Sequence, residues 1–326
     1  MQRRKYQGKI AALAAVTALC LAPGVMAQGP AWPAKPLRVV VSFPPGTAGD
    51  IVIRGISERV GSALGQPVVV ENRPGAGGNI GAEVVANGPS DGHVILEGPD
   101  TIMTINPQIY SKTGFKPENM VAVTTLIPVV QMLACHPSVG VKSVPELITM
   151  ARAKPMNYAS GGAGVPGHLA MEMFLSAAGI SMTHVPYKGP AAAIQDLLAG
   201  QVPCAFLVSN VVAPMVKAGK LVGLGVSGRK RSVLLPDLPT MHDVGLKDFD
   251  ATFTEMLWVP KGTPEAAINR LNAEVNKAMA APEMRERLAA LDVEAIGGTP
   301  AEAAARNRRE FERWSPVIKR VGLKVD

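Results

Sequence analysis

Val39-Val40-Val41-Ser42-Phe43-Pro44-Pro45-Gly46-Thr47-Ala48-Gly49-Asp50 passes from a β-branched apolar run, through a proline- and glycine-rich turn, into a helical pattern. The pattern recurs in Val68-Val69-Val70-Glu71-Asn72-Arg73-Pro74-Gly75-Ala76-Gly77-Gly78-Asn79-Ile80-Gly81. Strand, glycine turn and helix, repeated at this spacing, mark parallel α/β layers. Such a turn exposes backbone N–H groups at a helix start, where the helix dipole favours negative charge. The two turns therefore point to a small anionic ligand held by backbone rather than by side-chain charge.

Outward from these turns, apolar strand-like runs are read at 37–43, 67–71, 93–96, 121–127, 129–135, 156–159, 182–186, 202–208, 221–227 and 252–259. Helical patterns alternate with them, near 78–86, 144–153, 167–178, 190–199, 210–218, 264–290 and 300–321, besides the one that follows Asp50. Asp50 reads as an N-cap before Ile51, Val52, Ile56, Val60 and Leu64. Ser143-Val144-Pro145-Glu146 and Thr299-Pro300-Ala301-Glu302 fit the capping box, and Thr263-Pro264 sets proline in a first helical turn. The Arg- and Glu-rich C-terminal helices read as solvated covers of one domain's sheet.

The chain of 326 residues begins like an exported protein. Arg3, Arg4, Lys5 and Lys9 precede an apolar stretch from Ile10 to Leu21 and a small-residue site at Val25-Met26-Ala27, with cleavage expected after Ala27. Leu19 before Cys20 argues against lipidation, and Arg3-Arg4 leaves the twin-arginine route open beside the general one. Loss of the leader's four basic residues takes the formal charge from +7 to +3. With 4% aromatic residues and no basic run beyond Arg229-Lys230-Arg231, nucleic-acid binding is discarded. The remaining length suits two domains of ~100–200 residues. Cys135 and Cys204 sit in apolar runs; they could pair in an oxidising compartment, but buried free thiols are the expected state.

Three constellations invite chemistry. Gly162-Ala163-Gly164-Val165-Pro166-Gly167 is a GxGxxG between a strand and a helix, yet the next strand carries no acid for a ribose, so an anion-binding helix start is favoured over a dinucleotide site. Ser160 could be a hydrolase nucleophile with His168, His184 and Asp196, although it lacks the first glycine of the GxSxG elbow. The five histidines show no zinc spacing, so neither a metal nor a cofactor is expected. His168 could donate to a bound carboxylate or brace the neighbouring loop, and Lys188 could be a counter-charge.

The chain resembles the extracytoplasmic solute-binding receptors of the tripartite tricarboxylate transporter family, also called the Bug family. The resemblance rests on Phe43-Pro44-Pro45-Gly46 with Asp50 and Arg54, Asn72-Arg73-Pro74-Gly75-Ala76-Gly77-Gly78, Ile105-Asn106-Pro107, His168-Leu169 and Val185-Pro186-Tyr187-Lys188-Gly189. It continues through Gly200-Gln201-Val202, Arg231-Ser232, Leu238-Pro239-Thr240 and Pro260 with Gly262-Thr263-Pro264. It implies a two-lobed type II periplasmic binding protein fold, a flytrap in which each lobe is a central sheet flanked by helices. The expected lobes are 28–127 plus 252–326, and 128–251.

The resemblance also implies a non-catalytic periplasmic monomer that binds a small organic acid for a membrane permease, or for a signalling partner. Its expected ligand-binding residues are Phe43, Pro44, Gly46, Thr47, Asp50, Gly77 and Gly78 in one lobe, and Gly162, Gly164, Val165, His168, Tyr187 and Lys188 in the other. Glu255 would join them if it faces the cleft, where it could meet an amine; a solvent-facing glutamate is the plainer expectation. Thr47 replaces a usual glycine, Val165 and Pro166 replace usual hydroxyl residues, and Pro203 replaces a usual acid. Fewer donors at the far end of the pocket point to a monocarboxylate, or an acid with an apolar or aromatic end, rather than citrate.

Overall fold

The computed structural model describes residues 32–325, so the leader and its expected cleavage site lie outside the described residues. In chain order the strands are β1 (Leu37–Val41), β2 (Val68–Asn72), β3 (Val94–Pro99), β4 (Met120–Val129), β5 (Gln131–Cys135), β6 (Asn157–Ser160), β7 (Thr183–Pro186), β8 (Cys204–Val208), β9 (Val222–Val226) and β10 (Phe253–Pro260). The helices are α1 (Ala48–Leu64), α2 (Asn79–Ala86), α3 (Thr101–Thr104), α4 (Asn106–Ile109), α5 (Val144–Ala153), α6 (Pro166–Ala178), α7 (Pro190–Leu198), α8 (Ser209–Lys217), α9 (Glu265–Met279), α10 (Pro282–Ala290) and α11 (Pro300–Val321). Each of the ten apolar runs overlaps its own strand, with β3 and β4 extending furthest beyond theirs.

The strands form two five-stranded sheets, ordered β2-β1-β3-β10-β4 and β7-β6-β8-β5-β9. In the first, β1 is parallel to β2 and β3, and β10 is antiparallel to β3 and β4. In the second, β6 is parallel to β7 and β8, and β5 is antiparallel to β8 and β9. The layers are therefore mixed rather than purely parallel. The chain leaves the first sheet at Val130, between β4 and β5, and returns after β9 to add β10. Strands β1, β3 and β6 each end in a turn that leads into a helix, and β8 passes directly into one, the arrangement that places ligands beyond the carboxyl ends of strands.

Both faces of each sheet are covered, which is why β1 is a continuous β-branched run instead of an alternating one. Val39, Ile53, Leu271 and Met284 pack on one face of the first sheet, and Val40, Leu96, Ile102 and Trp258 on the other. Leu133, Tyr158, Phe174 and Phe206 form one core of the second sheet, and Met132, Ala159, Leu197 and Leu221 the other. Helix α11 does not cover a single sheet, as its composition suggested. Ala303 packs on the first sheet, whereas Trp314 and Ile318 enter the core of the second, with Trp314 stacked 5.3 Å from Phe253.

Several local expectations change. Thr47, not Asp50, is the N-cap of α1, and Asp50 lies in its first turn. Thr299 and Glu302 complete a capping box, but Glu146 returns to the Lys142 N–H (2.8 Å) rather than to that of Ser143. Pro264 is itself the N-cap of α9, and Pro282 divides the expected 264–290 helix by opening α10. Cys135 and Cys204 are not free thiols. Antiparallel pairing of β5 with β8 sets them directly opposite, Cα atoms 4.1 Å apart, and they form a disulfide.

Candidate functional site

The turn after β1 is built around Asp50. Its carboxylate accepts from the Gly46 N–H (2.9 Å), Arg54 Nε (3.0 Å) and Asn72 Nδ2 (2.9 Å), and Asn72 Nδ2 also reaches the Phe43 carbonyl (3.0 Å). Asp50 thus fastens both glycine turns to each other. The Thr47 hydroxyl is donated to the Pro44 carbonyl (3.2 Å), so it stiffens its own loop. Phe43 lies against Gly78, where φ is +95° and an added Cβ would stand 2.7 Å from Ile102 Cδ1. Only glycine fits that position.

The facing turn from the second sheet has a polar backing of its own. Ser160 Oγ donates to the Gly162 carbonyl (2.8 Å), accepts from the Gly162 N–H (3.2 Å) and lies 2.6 Å from His184 Nε2. His168 Nδ1 accepts the Gly164 N–H (2.9 Å), which leaves the ring proton on Nε2, facing Glu172 (3.8 Å). The two imidazoles stack 3.9 Å apart, with Tyr158 beyond His184, and the Tyr158 hydroxyl donates to Glu172. Burial, and the neighbouring His184, lower the His168 pKa to about 3; burial lowers that of His184 to about 4. Both rings are neutral at ordinary pH, so His168 brings no charge to an anion.

Tyr110 is the contact between the two turns. Its hydroxyl donates to the Ala163 carbonyl (3.0 Å), and a Cβ on Gly77 would stand 2.7 Å from the same oxygen. Gly164 packs on the Tyr110 ring and Ile109. The structure therefore brings Gly77 and Gly164 together through Tyr110, with Phe43 against Gly78 on one side and Gly162 beside the Tyr187 carbonyl on the other. Tyr187 donates its hydroxyl to Asp196 (2.7 Å), a bond that raises its pKa to about 12, and Lys188 is exposed and unpaired among the described residues. Of the expected backbone donors, Gly46, Gly78, Gly162 and Gly164 give their N–H groups to partners within the protein. Thr47, Gly77 and Val165 keep theirs unengaged among the described residues.

Glu255 does not face solvent; it is 9% exposed, and Glu97 is 1% exposed. The β3–β10 register puts Glu255 opposite Pro99 and Glu97 opposite Leu257, so the two carboxyl groups are diagonal neighbours on one face. Burial raises the Glu97 pKa well above the usual carboxylate range, with Glu255 and Asp50 adding to it. Burial likewise raises Glu255 and Asp100 to about 7, against the bonds that Asp100 receives from Thr254. A shared proton is the natural state of such a pair.

Residues that sequence reasoning missed are polar and buried. Ser42 Oγ, Asn79 Nδ2, Thr101 Oγ1, Asn106 Oδ1, Gln131 Nε2 and Ser209 Oγ have no hydrogen-bond partner among the described residues. They sit at strand ends and helix starts, where a polar residue in an apolar run is the signal to seek. Buried polar groups of this kind are ordinarily satisfied by protein or by ordered water. A cavity of about 1000 Å³ opens between the two sheets' ends, bordered by Ala48 and Thr254 on one side and Ser209 and Gly228 on the other. None of the expected ligand-binding residues lines it, although Thr47 and Glu255 adjoin residues that do.

The hydrolase reading fails on this geometry. Ser160 is fully buried, its hydroxyl is directed at a carbonyl, and Asp196 serves Tyr187 rather than either histidine. His184 Nε2 lies beside this oxygen, but the hydroxyl proton is given to the Gly162 carbonyl, and no carboxylate is bonded to that imidazole among the described residues. Among the described residues no group of His, Cys, Asp or Glu is placed to hold a metal ion, and no helix is long and apolar enough to cross a membrane.

Residues 52–323 match the TctC family model, described as the tripartite tricarboxylate transporter family receptor. The chain is 36% identical to the UPF0065 protein in the tcbD-tcbE intergenic region of Pseudomonas sp. strain P51, covering 88% of this chain and 87% of that protein. It is similar to R. palustris Rpa4515, solved with adipate (TM-score 0.84, 31% identity, 90% of this chain and 99% of that one). It is also similar to the periplasmic binding protein BugD (TM-score 0.82, 30% identity, 90% and 99%). With two mixed sheets and facing glycine turns, and on these matches, the chain belongs to the tripartite tricarboxylate transporter family receptors, the non-catalytic periplasmic solute-binding proteins also called Bug proteins.

Proposed function

We propose that this receptor captures a small carboxylate between two lobes, 28–127 plus 252–326 and 128–251, and hands it as a monomer to a membrane permease of the same transporter family. The observation that carries the reading is the meeting of glycine turns from separate sheets at Tyr110, with the Thr47, Gly77 and Val165 N–H groups unengaged beside them. An anion there gains from backbone donors and from the N-termini of α1 and α6. Closure follows because only the closed form lets both lobes touch the ligand.

The ligand is an acid with one carboxylate and an apolar or aromatic end. The related Rpa4515, solved with adipate, supports an organic acid as the ligand class. This chain supports a single-acid variation on it: Pro166 has no N–H, Val165 has no hydroxyl, and the Thr47 hydroxyl is engaged by Pro44. Thermal unfolding of residues 28–326 against mono-, di- and tricarboxylates tests it. At a hundred times the dissociation constant the true ligand adds about 2.7 kcal/mol of stability. Stabilisation by di- or tricarboxylates as strong as by monocarboxylates removes the single-acid reading; no shift with any acid removes the carboxylate reading altogether.

A further inference from the structure

Resting on the carboxylate reading, we infer that Glu97 and Glu255 form a proton site linked to the ligand, so that the receptor takes up its acid anion together with a proton and releases the two together. The geometry comes from the first turn of α1. Glu97 is 1% exposed near the end of β3, where its register partner on β1 is Val41, the last residue of that strand. A Cβ on Gly49 would stand 1.9 Å from Glu97 Oε1, so this carboxyl lies against the backbone of α1's first turn. Gly49 follows closely on Thr47, whose N–H is one of the unengaged donors given to the anion. Glu97 Oε1 has no hydrogen-bond partner among the described residues, and Glu255 is its diagonal neighbour on the same face.

The ligand's charge and the pair's charge would thus meet at one helical turn in buried surroundings, where like charges oppose each other by at least about tenfold in an equilibrium constant. The groups around the pair do not relieve this. From α1, Asp50 adds a carboxylate, and Arg54 is turned to Asp50 (3.0 Å). Strands β1 and β4 set Val41 and Ile127 opposite the pair, without charge. Asp100, beyond Glu255, is bonded to Thr254, and the α11 charges that act on it, Glu310 and Arg313, pair with each other. Burial raises the Glu97 pKa well above the usual range and that of Glu255 to about 7. The pair therefore gains its charge as pH rises through about 7, and by reciprocity a charge that weakens the ligand makes the bound ligand hold the proton.

Calorimetric titration of residues 28–326 with butanoate, phenylacetate and adipate at pH 6.5 and pH 8.5, in buffers of different ionisation enthalpy, tests the inference. The three acids are ionised across this range, and burial keeps His168 and His184 neutral across it. The dissociation constant of each acid that binds rises about tenfold between the two values, with net proton uptake at pH 8.5. Glu97→Gln and Glu255→Gln each bring the ratio of the two constants to about one and abolish the uptake. A dissociation constant independent of pH, without proton uptake, overturns the inference in the unaltered protein and leaves the carboxylate reading intact. A pH dependence that survives both variants places the proton elsewhere, at Asp100 if Asp100→Asn removes it, and overturns the inference as well. Failure of every acid at both pH values removes the carboxylate reading and the inference with it.

Discussion

The two glycine turns rest on opposite chemical supports. Under the first, Glu97, Glu255 and Asp100 form a buried acidic floor beside Asp50, and burial raises the carboxyl pKa values of those three. Behind the second, His168 and His184 form a neutral stack that refuses protons for the same reason. Desolvation disfavours the charged form in either case, so one physical cause gives the two lobes opposite responses to pH. A further asymmetry is covalent: the second sheet carries the Cys135–Cys204 bond, and the first has none among the described residues.

The largest expected effect is on the histidine side. Lowered imidazole pKa values supply stability that is present above about pH 6.5 and is lost as pH falls toward 4 and 3. After allowance for partial solvent access, the loss between pH 7 and pH 4 is about 4 kcal/mol. Urea unfolding at the two pH values measures it, and His168→Gln and His184→Gln should each remove part of the slope. A slope untouched by both would break the contrast.

Next comes the disulfide, which closes a sequence separation of 69 residues. Replacing both cysteines with serine should cost about 3 kcal/mol, read in denaturant, with amide exchange accelerated in β5 and β8 more than in β1 and β3. Uniform acceleration across both sheets would mean that the lobes do not differ in this respect.

On the acidic side the sign reverses. Raised carboxyl pKa values give stability that is full below about pH 4.5 and lost as pH rises through about 7. Glu255→Gln should therefore stabilise the protein by about 2 kcal/mol at pH 8 and little at pH 4.5. Equal effects at both pH values would show that the carboxyl is not protonated in the fold.

The helix starts offer a matched pair. Gly49 and Gly167 are each the second residue of a helix, α1 and α6. A Cβ on Gly167 overlaps the Phe206 carbonyl, whereas one on Gly49 overlaps the Glu97 carboxyl, a side chain that can turn aside. Gly167→Ala should cost about 2 kcal/mol and Gly49→Ala about 1, and a thermal-unfolding series decides the order. Smallest is Tyr110→Phe. Loss of one hydrogen bond between the turns, about 1 kcal/mol, should weaken the tightest acid about fivefold while shifting the ligand-free midpoint little.

Much of this was legible along the chain. The β-branched runs at Val39–Val41 and Val68–Val70 mark strands because such residues suit a pleated, packed surface. Gly78 marks a turn because no side chain fits against Phe43 and Ile102 there. Glu255 was misread because a glutamate in a strand has no local sign of burial; its partner, Glu97, is 158 residues away in sequence and meets it only through the β3–β10 pairing. Asp50 looked like a cap because short-range patterns cannot show that Asn72 and Arg54 converge on it.

Local sequence therefore determined the strand and helix order, the glycine turns and the family, since each depends on φ/ψ preference and apolar periodicity within a few residues. Tertiary structure alone decided the pairing of Cys135 with Cys204, the burial of Glu255, the Tyr110 contact and the cavity beside Ala48. These are properties of surfaces brought together from distant parts of the chain, and no propensity or spacing encodes them.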